Sequence, residues 1–130
     1  AAALFLPVGI GHLSALDVHD MEDLGDRAGY APGRERSAAF GDAFLRLDRD
    51  LVPGMAVTIE PGFYQVPGIL TDDAPTAKVG KDLVRGELAT YGDVRGIRIE
   101  DDVLITETGN EILTADVPKK PDSVEAIVSG

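Results

Sequence analysis

The sequence contains no cysteine. Disulfides, thiolate zinc sites and a cysteine nucleophile are therefore excluded. Histidine occurs only twice, at His12 and His19. Any metal site must be built from these imidazoles and from carboxylates, a donor set that suits Mn, Co, Fe or Zn rather than a cysteine-type structural zinc. Basic residues are also scarce. Twelve Lys and Arg stand against 23 Asp and Glu, for a net charge of −11. That balance weighs against a nucleic-acid backbone or an anionic membrane as partner, because both need basic patches. No stretch approaches the roughly 20 apolar residues needed to span a bilayer. The apolar start "AAALFLPVGIG" lacks a basic leader and is too broken by Pro and Gly to read as a signal peptide. The default expectation is a cytoplasmic protein.

What is present is an ordinary globular composition, 44% hydrophobic and 27% charged over 130 residues. That length allows one domain with one core of moderate size. The chain begins without Met, directly in an apolar run, which suggests a start inside a domain.

Residues 3–11 read as a strand approaching His12 between glycines. Residues 13–20, "LSALDVHD", alternate apolar and polar positions and read as a second strand. Residues 21–38 are rich in Gly, Pro and charge and read as a long surface loop. A turn falls at Pro53-Gly54, followed by the strand "MAVTIE" over 55–60, stopped by Pro61-Gly62. Residues 64–80 look irregular, and 81–91 read as a short helix weakened by Gly86. "GIRIEDDVLIT", 96–106, reads as one strand, with Ile97, Ile99 and Val103 holding it in a sheet. It turns at "ETGN" (107–110) into a hairpin partner. The final "PDSVEAIVSG" reads as a helix capped by Asp122 or Ser123, with Glu125 in its first turn.

Within these strands the charges fall in a pattern. Thr58 and Glu60 share one strand face, opposite Val57 and Ile59. Arg98 and Glu100 share a face opposite Ile97 and Ile99. A half-buried strand with a solvated face is the commoner reason for such alternation. The sharper reading pairs the two strands so that both carboxylates enter one pocket, where a cation must neutralise them, either Arg98 or a metal. Alternation does not choose between the two readings. A spacing of seven between His12 and His19 does not match a helical metal motif, although on extended chain both could reach one cleft.

Three motifs in order, "VGIGHLSALDVHD", "MAVTIEPGFY" and "GIRIEDDVLIT", resemble the proline-specific metallopeptidases of the aminopeptidase P and prolidase family. The likeness runs through essentially the whole chain, and "VHD" resembles the proline-specific branch rather than methionine aminopeptidases. The resemblance implies an α+β fold, the C-terminal portion of a pita-bread (creatinase/aminopeptidase) domain with a curved antiparallel sheet and flanking helices. It implies that His12, Glu60 and Glu100 are metal ligands, with Glu100 bridging two divalent ions. Manganese is the first expectation, with cobalt, zinc or iron as alternatives. Glu60 would also act as general base. His19 would bind substrate and help move protons. Arg98 and Tyr64 would orient the ligands, with Arg98 serving an acidic partner outside this chain. The substrate implied is a peptide with proline at its second position, and the complete protein would be a homodimer.

Three departures accompany the resemblance. Val8 stands where the family usually has a histidine lining the site, and Ala15 stands where it usually has glycine. The family's first two metal ligands are aspartates upstream of these motifs, and Asp72, Asp73, Asp82 and Asp93 lie in the wrong places to replace them. Residues 1–130 then carry three of five ligands, and the expectation is an incomplete catalytic domain, inactive alone, with an exposed apolar edge. The other reading in the same fold is a non-catalytic interaction module. A metal-free hydrolase of the creatinase kind would have no reason to keep both carboxylate motifs.

Overall fold

The structure is a computed structural model and describes residues 2–130. It opens with a short helix, α1 (Ala2–Phe5), where a strand over 3–11 was expected. Ala-Ala-Leu-Phe favours helix. Leu6 then closes the turn by donating its N–H to the Ala2 carbonyl at 2.9 Å, and Pro7 stops it. The Phe5 ring stacks on Phe63, with centroids 5.2 Å apart.

The extended piece lies further on. Residues 10–14 run antiparallel to β1 (Ala56–Ile59), with Leu13 bridged to Val57. The Thr58 N–H donates to the His12 carbonyl at 2.9 Å and the Glu60 N–H to the Ile10 carbonyl at 2.7 Å. The strand expected over 13–20 ends almost at once. The Asp20 N–H donates to the Leu13 carbonyl, so residues 14–20 form a loop that returns to its start.

The long loop expected over 21–38 lies within a connection that runs through 21–50, holding only a 3₁₀ turn (Glu22–Leu24) and a single turn of helix, α2 (Asp26–Gly29). It is pinned by its own charges. Arg36 pairs with Asp26 and lies over the Tyr30 ring, Arg34 pairs with Asp48, and the buried Tyr30 hydroxyl donates to the Leu45 carbonyl.

β1 pairs with β4 (Asp101–Ile105), and β2 (Gly62–Tyr64) pairs with β3 (Gly96–Arg98), both antiparallel. "GIRIEDDVLIT" is thus two strands in two sheets rather than one. The register nevertheless does not slip. Ile59 faces Asp101 and Gly62 faces Arg98, so continuing either ladder places Glu60 opposite Glu100. Between them the Ile99 N–H donates to the Pro61 carbonyl at 3.2 Å. An antiparallel hydrogen-bonded pair returns that bond, and Pro61 has no N–H to return it. The sheet therefore opens at the residues that carry the two carboxylates.

β4 continues into β5 (Asn110–Ile112) through the expected hairpin, making the order β1-β4-β5. The segment 64–80, expected to be irregular, holds α3 (Pro67–Thr71) and α4 (Asp73–Ala77). Pro67 starts the first, and the Asp72 carboxylate caps the second by accepting the Ala74 N–H at 2.8 Å. α5 (Arg85–Ala89) is shorter than the helix expected over 81–91. The last helix, α6 (Pro121–Ser129), begins at Pro121 after Lys120, so neither Asp122 nor Ser123 is its cap.

The core is smaller than the length suggested. Among the described residues it consists of Leu4, Ala28, Tyr30, Val57, Leu70 and Val103. Val103 is buried as expected, but Ile97 is 64% and Ile99 44% exposed. Among the described residues β3 has only β2 beside it, and the exposure of Ile97 within it and of Ile99 just after it shows that neither anchors the strand in a core.

Candidate metal centre

One face of the two ladders carries Thr58, Glu60, Gly62 and Tyr64 on one strand run and Asp102, Glu100, Arg98 and Gly96 on the other. His12 joins them from the neighbouring extended segment, because its backbone lies opposite Thr58. Gly11 permits that approach: a Cβ there would sit 2.1 Å from the Thr58 carbonyl oxygen.

His12 is buried, and its Nδ1 lies 2.9 Å from the Leu13 carbonyl. A carbonyl only accepts, so Nδ1 carries the proton. Nε2 then faces Glu60 Oε1 at 3.0 Å. Two lone-pair atoms at that distance need a cation between them, a proton or a metal. Glu60 Oε1 also accepts a 2.9 Å hydrogen bond from the Thr58 hydroxyl. Its Oε2 lies 3.3 Å from Arg98 Nη1, and Arg98 Nη2 lies 3.2 Å from Glu100 Oε2. Arg98 therefore contacts two acids within this chain. The Tyr64 hydroxyl beside it, followed by the Glu60 carboxylate, raises the Arg98 pKa above its ordinary value.

The two open cation readings thus meet in one place. His12, Glu60 and Glu100 each offer a ligand atom, all within 4.8 Å of one another, and they form the only such group among the described residues. A nitrogen and carboxylate oxygens at this spread suit one divalent ion with bonds of about 2.0–2.2 Å. The bare, oriented Nε2 is the arrangement that ligating histidines use. The residues present fit a metal.

His19 reaches the same cleft because its loop folds back, not along an extended strand. Its ring meets that of His12 edge-on, with centroids 4.5 Å apart. Its Nδ1 lies 2.9 Å from Glu22 Oε2, and Arg46 Nε holds the other oxygen at 3.1 Å. The Arg46 hydrogen bond, with His19 as a smaller influence, lowers the Glu22 pKa. Tyr64 lies across Gly62, where a Cβ would meet its ring at 2.7 Å. The cleft of about 380 Å³ is also lined by Val8, Phe44 and Arg46.

The model of metallopeptidase family M24 matches residues 2–107. The chain belongs to metallopeptidase family M24. The M24 chain is 38% identical over 128 residues to the Xaa-Pro dipeptidase of Homo sapiens, covering 98% of this chain and 24% of that one. It is 38% identical over 124 residues to a "probable Xaa-Pro aminopeptidase" of Colletotrichum graminicola, covering 95% and 25%. Among solved structures it resembles aminopeptidase P from E. coli with the inhibitor Pro-Leu (TM-score 0.55, 35% identity, 96% of this chain and 20% of that one). It also resembles proline aminopeptidase P II from Yersinia pestis (TM-score 0.53, 37% identity, 96% and 21%). The M24 chain therefore has the fold of these enzymes over a portion of their length, about a quarter of the curated relatives and a fifth of the solved chains.

Sequence reasoning had placed Thr58 on the face of Glu60 without giving it a task, and had passed over Glu22, Phe44 and Arg46. For Thr58 the signal was present, two residues before Glu60 on a strand. The same holds for Glu22, three residues after His19. Phe44 and Arg46 lie in an aperiodic segment that carries no such signal. Ala15 is not at positive φ, since among the described residues only Met21 combines a side chain with positive φ, so its backbone conformation does not call for glycine.

Proposed function

We propose that this M24 chain supplies the His12, Glu60 and Glu100 side of a dinuclear metal centre that hydrolyses Xaa-Pro peptide bonds. The observation that carries the reading is the convergence of those three ligand atoms within 4.8 Å. Names of the relatives supply the substrate class, since they are described as Xaa-Pro dipeptidases and aminopeptidases. When bound, divalent ions supply Lewis acidity toward water and toward the polarised peptide carbonyl.

The protein's own residues do the rest. Glu60, held by Thr58 at one oxygen and Arg98 at the other, accepts a proton from the attacking water. Oxygen bonds to the scissile carbon, the C–N bond to proline breaks, and Glu60 returns the proton to the proline nitrogen. His19, tied at Nδ1 to Glu22, presents Nε2 to the substrate. Glu100 would join His12 and Glu60 in holding the ions, and Arg98 and Tyr64 keep the carboxylates oriented. We further propose that residues 1–130 are the C-terminal part of one catalytic domain, with two aspartate ligands supplied upstream. The coverage of about a quarter of the relatives fits a chain that is part of such a domain. A cytoplasmic homodimer, with manganese as the metal, completes the reading on the strength of the family resemblance. No helix among the described residues is long and apolar enough to cross a membrane.

Metal content and Xaa-Pro hydrolysis of the full-length protein and of Glu60→Gln test the reading. Near-complete loss of hydrolysis in the variant is expected, and unchanged activity would sink the mechanism. Val8 in the cleft favours the second reading, a non-catalytic interaction module. That reading requires no stoichiometric Mn, Co or Zn in the full-length protein.

A further inference from the structure

Thr58 stands between the residues read as ligands, and its hydrogen bonds have a fixed direction. It is 2% exposed. Its hydroxyl oxygen takes the main-chain N–H of His12 at 3.0 Å and contacts Glu60 Oε1 at 2.9 Å. An N–H can only donate, so Thr58 accepts from His12, and its single proton is left for Glu60. The circuit closes on the residue where it began, because the His12 ring meets the same Oε1 at 3.0 Å. The His12 side chain cannot turn to relieve this, since Nδ1 is held by the Leu13 carbonyl.

We propose that Thr58 is a positioning residue that sets the separation of His12 Nε2 and Glu60 Oε1 and the direction of their lone pairs, so that the two act as one preformed ligand unit for a divalent cation. The inference rests on the metal-centre reading above. The physical reason is geometric. His12 and Glu60 sit on different chain segments, and the hydroxyl is the buried side-chain link between the backbone of one and the carboxylate of the other. Valine has nearly the shape of threonine but offers neither acceptor nor donor. It would leave the His12 N–H unpartnered and Oε1 free to swing toward Arg98.

The test is calorimetric titration of the full-length, metal-free protein with Mn²⁺, comparing wild type with Thr58→Ser, Thr58→Val and Glu60→Gln, alongside thermal melts without metal. The serine variant should bind within a few-fold of wild type, and the valine variant 10–100-fold more weakly, the usual loss for an outer partner of a ligand. Glu60→Gln should be weaker still. Equal Mn²⁺ affinity in wild type and Thr58→Val overturns the inference alone. Equal weakness in the serine and valine variants also overturns it, because the hydroxyl would then not be the active feature. If the valine protein does not fold, Thr58→Ala replaces it. If neither folds, the hydroxyl serves the fold rather than the ligand pair, and the inference fails. A wild type that takes up no Mn²⁺ and matches Glu60→Gln fails the metal-centre reading itself, and this inference falls with it.

Discussion

His12 Nε2 lies 3.0 Å from Glu60 Oε1, although the residues are 48 positions apart in sequence. The His12 Nδ1–H is committed to the Leu13 carbonyl, so this contact is a pair of lone pairs aimed at one point. Replacing His12 by alanine removes one of three ligand atoms. Xaa-Pro hydrolysis of the full-length protein should fall by at least about 100-fold, beyond the 10–100-fold typical of an outer partner. Its affinity for Mn²⁺ should fall with it. Retained Mn²⁺ affinity in His12→Ala would remove that residue from the ligand set.

Gly11 is where two backbones come closest. A methyl group at this position would meet the Thr58 carbonyl at 2.1 Å, and backbone cannot yield as a flexible side chain does. Gly11→Ala should destabilise the fold by about 1–3 kcal/mol, the range for overpacking, and should weaken Mn²⁺ binding as His12 is pushed from Glu60. Urea denaturation measures the first effect. An unchanged midpoint would contradict the close approach.

Arg98 touches Glu60 with one nitrogen and Glu100 with another. A lysine has one compact ammonium and cannot hold two carboxylates in that fork. Arg98→Lys should lower hydrolysis 10–100-fold while leaving the melting temperature nearly unchanged, because Arg98 is about half exposed. Wild-type rates in Arg98→Lys would show that only its charge matters.

Asp101, beside this pair in sequence, faces a different task. A hydrogen bond from Lys119, with a second from Thr114, lowers its pKa below the ordinary 3.8. The folded value is depressed, so the contribution to stability is present above the unfolded pKa and is lost as pH falls through the folded one. Stability of the wild type should therefore drop more steeply below about pH 4 than that of Lys119→Met. Parallel acid-unfolding curves would show that the Lys119 contact contributes nothing.

Several parts of this arrangement were legible beforehand. Alternation in "MAVTIE" marked β1 and put Thr58 with Glu60, and Thr-Gly-Asn marked the hairpin after β4. The carboxylates did converge, as pairing of the two strands required. α3 and α4 were missed because each is only five residues long, too short for a helical period to show. Their start signals, Pro67 and Asp72, could have been read. The apparent strand at 3–11 was a misreading of an apolar run that is too short to separate helix from strand. The length also promised more core than the described residues hold, because Ile97 and Ile99 are exposed rather than buried.

What the sequence by itself determined is local: which residues alternate, where Pro and Gly interrupt, and that only two histidines and a set of acids can offer ligands. Tertiary structure alone decided that Arg98 serves both Glu60 and Glu100, and that His19 returns to His12 through a loop closed by the Asp20–Leu13 hydrogen bond. It also decided that Pro61 opens the ladder where the carboxylates stand. The reason is the same in each case. A hydrogen bond or ion pair between distant segments depends on register, and register is fixed by pairing partners that no single segment contains.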